Sequence, residues 1–466
     1  MSETELNPEA EIEPTQLDED DRLKPAFVRA VLDAVEDNRP GEARELVEPL
    51  HPADIADLFE LTPADERAGL AKAIADLLDG EVFAEMNDYV REDLIDALEP
   101  HQVADIASEL DTDDAVAIIE DMAVEDQREV LRAMEPDDRA AIEEALSYPE
   151  ETAGRLMQRE LIAAPEHWTV GDVIDYLRAD DQLTTDFWEV FVVDPGHKPI
   201  GTCKLSWILR APRSVRLGDV MQREQTLIPV DMDQEEVALR FQKYALISAA
   251  VIDATGRLVG MITVDDIVHI IQEEAGEDAL LLSGAGDGDI NEPLPRTIRT
   301  RMWWLLINLG TAVLAASVIA AFSDTIAKLI ALSALVTIVS GMGGNAATQT
   351  MAVTVRALAT NQLTSSNSWR MIAREWWIAV VNGIALGALM AIGCQLWYHD
   401  AGLSAILFAA MVINSLNAGL SGVLIPIGLD RVGIDPAITS TIFVTTMTDC
   451  MGFFALLGLA TLFGVH

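Results

Sequence analysis

The sequence predicts a multidomain membrane protein: an α-helical N-terminal superhelical domain, a tandem pair of α/β modules and a five-helix transmembrane domain. Three observations lead there. Charge is concentrated ahead of residue 302, and five long apolar windows follow that point. Within the charged part, the apolar period shortens near residue 150 from three or four residues to the alternation typical of strands.

Residues 1–22 read as a disordered acidic tail, whereas a secretory leader would begin basic and continue apolar. Residues 23–150 read as a helical acidic domain, in which Thr62-Pro63-Ala64-Asp65 and Glu135-Pro136-Asp137-Asp138 supply breaks and caps. His51-Pro52-Ala53-Asp54-Ile55-Ala56 echoes His101-Gln102-Val103-Ala104-Asp105-Ile106-Ala107, so short helix pairs are expected to stack as a small solenoid. Neither His51 nor His101 has a second histidine at ligand spacing, and both read as cap or packing groups rather than metal ligands.

Residues 151–272 alternate strand and helix in two parallel copies, the first through 189–194 and 199–201, the second through 249–253, 256–260 and 261–266. The second copy resembles a CBS domain. It matches the Gly-x-x-Ser/Thr-x-x-Asp segment of nucleotide-binding members at Gly260, Thr263 and Asp266, whereas the first copy has Lys204 and Trp207 in place of the hydroxyl and the acid. ATP binding there and a helix-capping role for Thr263 both fit. Residues 273–301 read as a connecting, plug-like helix and linker.

From residue 302 onward five basic residues (Lys328, Arg356, Arg370, Arg374, Arg431) face six acids (Asp324, Glu375, Asp400, Asp430, Asp435, Asp449), a net of −1. Subtracting that from the whole-chain −46 leaves −45 for residues 1–301. Such a surface repels nucleic acid and anionic headgroups and attracts cations. Adaptation to high salt and cation sensing both account for the bulk charge, the chain having only six lysines. Cys203, Cys394 and Cys450 show no metal-ligand spacing and no disulfide framework, which fits a reducing compartment.

The windows 302–322, 326–348, 376–398, 403–428 and 437–463 each approach or exceed the roughly 20 residues that a bilayer core demands. Arginines cluster before the first, between the second and third, and between the fourth and fifth. By the positive-inside rule residues 1–301 are cytosolic, the C-terminus lies outside, and the chain is a multi-pass protein of the cell inner membrane. An odd number of spans puts the ends on opposite sides, and a two-fold homodimer is the economical way to a symmetric pathway.

Asp449 is the informative residue of this half. An acid within lipid costs roughly 2.5–3.5 kcal/mol on insertion scales, so it marks a polar path, a partner or an ion. Its context, Thr445-Thr446-Met447-Thr448-Asp449, adds hydroxyls and reads as a cation site, with a protonated acid bonded to neighbouring helices as the alternative. In the second window Gly341, Gly343 and Gly344 flank Asn345 and Gln349, expected either to open the helix and free carbonyls toward a cavity or to allow close helix packing. Asn414, Asn417 and Pro426 are read in the same way in the fourth. On a two-fold axis two copies of Asp449 present a charge of −2, suited to hydrated Mg²⁺, with Mn²⁺ and Co²⁺ remaining open.

These parts together resemble the MgtE family of magnesium channels over nearly the whole chain. The resemblance rests on Gly341-Met342-Gly343-Gly344-Asn345, on Asp449, on Arg356-Ala357-Leu358-Ala359-Thr360, and on Val432-Gly433-Ile434-Asp435-Pro436-Ala437. It implies a homodimer whose second and fifth spans line the pore. Asp449 would bind Mg²⁺ with the Thr445 carbonyl nearby, and Thr441 and Thr448 would join Gly341, Gly343, Gly344, Asn345 and Gln349 along the path. It further implies that cytosolic Mg²⁺ closes the pore by bridging acids at Glu81, Asp113, Asp233, Glu235, Glu274, Glu277 and Asp278, with Asp266 close by. Ala117, Ala245 and His269 stand where acids are expected, which weakens the implied feedback.

A closed state that binds more Mg²⁺ is favoured by Mg²⁺ through linkage, whatever the family. The rival readings are an ion-coupled (Na⁺ or H⁺) divalent-cation carrier, which Asp449 would serve equally, and a membrane-anchored sensor that transports nothing. An intramembrane metalloprotease lacks its His-Glu-x-x-His pair among seven histidines, so no enzyme activity is expected.

Overall fold

The computed structural model describes residues 16–20, 22–120, 122–179, 187–283, 290–364 and 366–463, so most of the expected acidic tail lies outside the described residues. The chain divides into two compact units, Met1–Ile271 and Gln272–His466.

The first unit begins with ten short helices: α1 (Pro25–Glu36), α2 (Pro40–Val47), α3 (Pro52–Leu61), α4 (Ala64–Ala73), α5 (Gly80–Ala84), α6 (Asp88–Ile95), α7 (Pro100–Ala107), α8 (Thr112–Glu120), α9 (Val124–Ala133) and α10 (Pro136–Ala145). Proline opens α1, α2, α3, α7 and α10, a position where its missing N–H costs no hydrogen bond. The capping expectation holds at His51, whose Nδ1 accepts the Ala53 N–H at 3.3 Å. It fails at His101, which lies exposed inside α7, because Glu99 and Gln102 already close a reciprocal capping box there. Leu58, Phe59, Leu70, Ile74, Ile118 and Ile119 are fully buried in a single core shared by these helices.

The remainder of this unit holds β1 (Ala163–Pro165), α11 (Val170–Ala179), β2 (Glu189–Val193), β3 (Pro199–Lys204), α12 (Leu205–Arg210), α13 (Leu217–Val220), β4 (Leu227–Pro229), α14 (Gln234–Tyr244), β5 (Ser248–Ile252) and β6 (Leu258–Thr263), followed by α15 (Val264–Ser283). The two sheets repeat one plan, β1-β2-β3 and β4-β5-β6, a parallel pair followed by an antiparallel pair. Even the register irregularity recurs, at Val192/Val193 and at Val251/Ile252. The segment 261–266 holds the end of β6 and the start of α15, which begins at Val264 just after Thr263 donates its hydroxyl to Asp266.

The two modules exchange their leading segments. Gln158, ahead of β1, bridges to Met261 on β6, while Gln222, ahead of β4, bridges to Thr202 on β3. Met157 is accordingly buried in the core of the second module and Met221 in that of the first. Glycine is required at both crossings. A Cβ on Gly260 would lie 2.7 Å from Met157 Sδ and 2.9 Å from the Gln158 carbonyl; one on Gly201 would lie 2.7 Å from the Gln222 carbonyl and 2.9 Å from Met221 Sδ.

The second unit contains α16 (Leu294–Ala321), α17 (Ser323–Lys328), α18 (Ala331–Ala359), α19 (Ser368–Tyr398), α20 (Ala401–Val432) and α21 (Pro436–Leu462). Five of these are long and apolar enough to cross a membrane. The second span starts later than its apolar window, at Ala331, because α17 ends at Lys328 and Leu329 is extended. Helix α20 lies centrally against α18, α19 and α21, while α16 rests on α21 and is nearly all exposed on the protomer. Small residues permit the central crossings: Gly383 faces Ser415 and Val412, Gly419 faces Ala379, and Gly422 faces Ala347 and Thr350.

The glycine run does not open its helix. Helix α18 is continuous through Gly341, Gly343 and Gly344, and α20 through Pro426. Of the three glycines only Gly343 is needed for close approach, against the Asn414 amide, whereas a Cβ on Gly341 or Gly344 would meet nothing within 4 Å.

Gly260→Ala is expected to lower the stability of the first unit by about 1–3 kcal/mol through overpacking against Met157 and Gln158. Thermal unfolding of the purified protein checks this, and Gly256→Ala, with φ of +80° and only the end of the Lys198 side chain at 3.8 Å, should act through backbone strain.

Candidate functional site

Helices α18 and α21 run antiparallel, since Ser340 meets Asp449 near one end and Met351 meets Thr441 toward the other. Gly341, Asn345 and Gln349 recur every four residues on α18 and are exposed on the protomer. Thr441, Thr445 and Asp449 recur at the same spacing on α21 and are partly exposed. These two rows, on helices that meet where Ser340 bonds Asp449, form the polar stripe of this helix pair.

Asp449 is partly buried, and its Oδ1 accepts a hydrogen bond from the Ser340 hydroxyl. Among the described residues no protein group donates to its other oxygen. Thr448 does not line the stripe: it is fully buried, and its hydroxyl donates to the Val444 carbonyl at 3.1 Å and the Thr445 carbonyl at 3.0 Å. The Thr445 carbonyl named in the sequence reading is thus half-engaged within its own helix, with one lone pair left. Thr441 donates to the Leu282 carbonyl at 2.8 Å, which ties the end of α15 to α21 within this unit.

A second constellation lies in the first unit, where the first turn of α8 faces the start of α15. Asp113 has a carboxylate oxygen shut from solvent with no hydrogen-bond partner. Its titration is raised well above the usual carboxylate range, first by burial and then by the charge of Asp266. Asp114 is pushed up to about 6 by burial, with Asp266, Asp111 and Glu85 adding to it. Burial also raises Asp266, although Thr263 donates to it at 2.8 Å and opposes the shift. The neighbouring contacts fix the helical domain on the modules: Glu160 accepts the Thr112 N–H at 3.1 Å and its hydroxyl at 2.8 Å, and Arg159 pairs with Glu144 at 2.5 Å.

The other expected metal-binding acids of the first unit are not among the main charges that raise this cluster. Glu81 is exposed in α5, Asp233 caps α14 by accepting the Glu235 N–H at 3.0 Å, and Glu274 and Glu277 lie on α15 in the second unit. The side chain of Asp278 lies outside the described residues. Among the described residues no three histidine, cysteine or acidic side chains are already gathered as a metal-ligand group. Gly260 packs against Met157 and Gln158, and Thr263 donates its hydroxyl at 2.8 Å and its N–H at 3.4 Å to Asp266, so the last two residues of the nucleotide-type segment are tied to each other at the start of α15.

Comparison with known proteins adds to this geometry. Residues 336–459 match the family model described as MgtE, divalent cation transporter, residues 50–151 the MgtE intracellular N domain, and residues 217–273 the CBS domain. The magnesium transporter MgtE of Enterococcus faecalis is 30% identical over 322 residues, covering 69% of this chain and 71% of the relative. The chain belongs to the MgtE family. That of Bacillus subtilis is 26% identical over 443 residues, 94% of this chain and 97% of the relative. A crystal structure of the cytosolic domain of the Mg²⁺ channel MgtE in complex with ATP aligns with 52% of this chain and 99% of its own, at 26% identity and a TM-score of 0.47. Mg²⁺ transport is the function at the level of the MgtE family, and its members are transporters rather than enzymes.

The sequence alone does not single out Asp114, Ser340 or Glu375 as site residues, and it singles out Asn414 without its partner. Asp114 adjoins an acid that was chosen, and its place in the first turn of α8 was the available signal. Ser340 and the partner of Asn414 are recognised only through contacts across helices. Glu375 fell one residue outside the third apolar window, yet α19 starts at Ser368 and buries it, with the Thr350 hydroxyl donating at 3.2 Å.

The carboxylates of Asp113, Asp114 and Asp266 hold protons in the folded state at pH values where the unfolded chain has released them. The stability that Asp114 contributes in this way is therefore full below the ordinary value of 3.8 and is lost as pH rises through about 6, with Asp113 and Asp266 acting in the same direction. Without divalent cations its melting temperature should be higher at about pH 5.5 than at about pH 7.5, and Mg²⁺ should raise it more at the higher value. Asp114→Asn should flatten both dependences, by on the order of 1 kcal/mol at neutral pH, in differential scanning calorimetry.

Proposed function

We propose that the protein is a Mg²⁺-selective channel for magnesium uptake across the cell inner membrane, acting as a homodimer. Its N-terminal and CBS domains face the cytosol, its C-terminus lies outside, and cytosolic Mg²⁺ bound among their acids closes it. The observation that carries the reading is Asp449: a half-buried carboxylate within a span, held through one oxygen by Ser340, on the polar stripe of α18 and α21. The stripe is exposed on the protomer, which is where a two-fold partner and a water-filled path would complete it. Two such carboxylates hold a dication that keeps most of its waters.

Closure is supported by the carboxylate cluster. The unpartnered oxygen of Asp113, with Asp114 and Asp266 beside it, lacks positive charge, which a hard dication supplies at the cost of displacing protons. Glu81, Asp233, Glu235, Glu274, Glu277 and Asp278 extend the same role in this reading. Charge of −45 over residues 1–301 opposes compaction when Mg²⁺ is absent, so the compact form is the one that gains from binding it.

One observation favours the coupled-carrier alternative, the second intramembrane acid. Glu375 is 6% exposed and has no ion-pair partner among the described residues, and such a group is what a coupling ion would ride on. Glu375→Gln separates the two: a channel keeps a flux driven by the Mg²⁺ gradient and membrane potential alone, whereas a carrier loses its dependence on a Na⁺ or H⁺ gradient.

Asp449→Asn should reduce Mg²⁺ flux roughly 30-fold or more in proteoliposomes, because it removes the charge and keeps the shape. Ala117→Asp combined with Ala245→Asp should move closure to lower cytosolic Mg²⁺ in channel recordings. Ala245 already has φ of 49°, a conformation aspartate tolerates, so the substitution adds a charge without a new backbone.

A further inference from the structure

Asn414 is 1% exposed at the centre of the membrane unit, where α18, α20 and α21 meet. Its Nδ2 donates to the Val339 carbonyl at 2.8 Å, while its Oδ1 is buried with no hydrogen-bond partner. Glycine stands on both flanking helices at this level. A Cβ on Gly343 would collide with the Asn414 amide, and one on Gly452 would lie 2.9 Å from Nδ2 and 3.3 Å from the Ser340 Cα. Val339, Ser340 and Gly343 belong to one turn of α18, and Asp449 and Gly452 to one turn of α21. The asparagine therefore packs against both helices, bonded to the residue that precedes Ser340, beside the point where Ser340 meets Asp449.

We infer that Asn414 is a positioning residue for the Asp449 carboxylate: by holding the Val339–Ser340 turn of α18 against α21, it commits one Asp449 oxygen to Ser340 and leaves the other for the permeating cation. The inference rests on the channel reading of Asp449. Packing alone does not account for an asparagine here, because an apolar side chain would leave no polar atom of its own unsatisfied in an interior that penalises one. The amide is useful if its hydrogen bond to α18 sets the spacing at which the serine reaches the aspartate. The same spacing governs how two carboxylates across a dimer axis fit a hydrated ion, so it bears on discrimination by size as well as on affinity.

Mg²⁺ and Ca²⁺ flux through the full-length protein in proteoliposomes, read against cation concentration, tests this. Asn414→Leu should raise the half-saturating Mg²⁺ concentration roughly three- to tenfold, the factor carried by one buried hydrogen bond, with maximal flux within about twofold and weaker discrimination against Ca²⁺. Ser340→Ala should give the same change and add little to Asn414→Leu in a double-mutant cycle. The pair Asn414→Ala with Gly343→Ala refills the space with a methyl, so it should recover thermal stability without recovering the half-saturating concentration. A folded variant of any of the three with the original concentration dependence and Ca²⁺ discrimination overturns the inference, as does full recovery in the refilled pair. If Asp449→Asn itself leaves flux intact, it is the channel reading that has failed, and the inference falls with it.

Discussion

A carboxylate inside hydrocarbon must be hydrogen-bonded or wet, and the membrane unit is arranged around that constraint at Asp449. Ser340 satisfies one oxygen, and among the described residues no protein group donates to the other. For the serine to reach the aspartate the two helices must approach closely, which sets the demand for small residues at Gly343 and Gly452. Close approach in turn places the neighbouring helix, α20, against both, with Asn414 filling the remaining gap. The composition of three spans thus follows from housing one acid.

The first unit meets the converse problem. There the acids are abundant, and most are solvated and inexpensive, but three are drawn together where α8 faces α15. Contacts such as Glu160 with Thr112 and Arg159 with Glu144 hold the helical domain on the modules and so keep these like charges close. Protons or a dication relieve the repulsion, and the two compete for the same oxygens. Folding energy from the surrounding contacts is spent on holding these carboxylates together.

Much of this architecture was legible in the residues. Apolar windows revealed the spans because lipid leaves little freedom in composition, and the repeated β pattern revealed the paired modules. Asp449 stood out because it is an acid in an apolar run. Helix ends were less legible. Glu375 escaped because α19 continues past its window into charged sequence, and Lys328 was assigned to the second span although α17 closes there. Glycines at 341, 343 and 344 look alike in sequence, yet only Gly343 touches a neighbouring helix. That difference depends on rotation about the helix axis, which a single chain's composition does not encode. The packing of Asn414 required knowledge of three helices at once, and Thr448 was misplaced because its hydroxyl turns back onto its own backbone.

The exchange of leading segments between the two α/β modules bears on their origin. Met157 and Gln158 complete the second module, and Met221 and Gln222 the first, so neither is a closed structure when separated from the other. An ancestor encoding a single module would have had to trade those residues with another molecule of itself. Tandem fusion would then have turned an association that depends on concentration into one written permanently into the polypeptide.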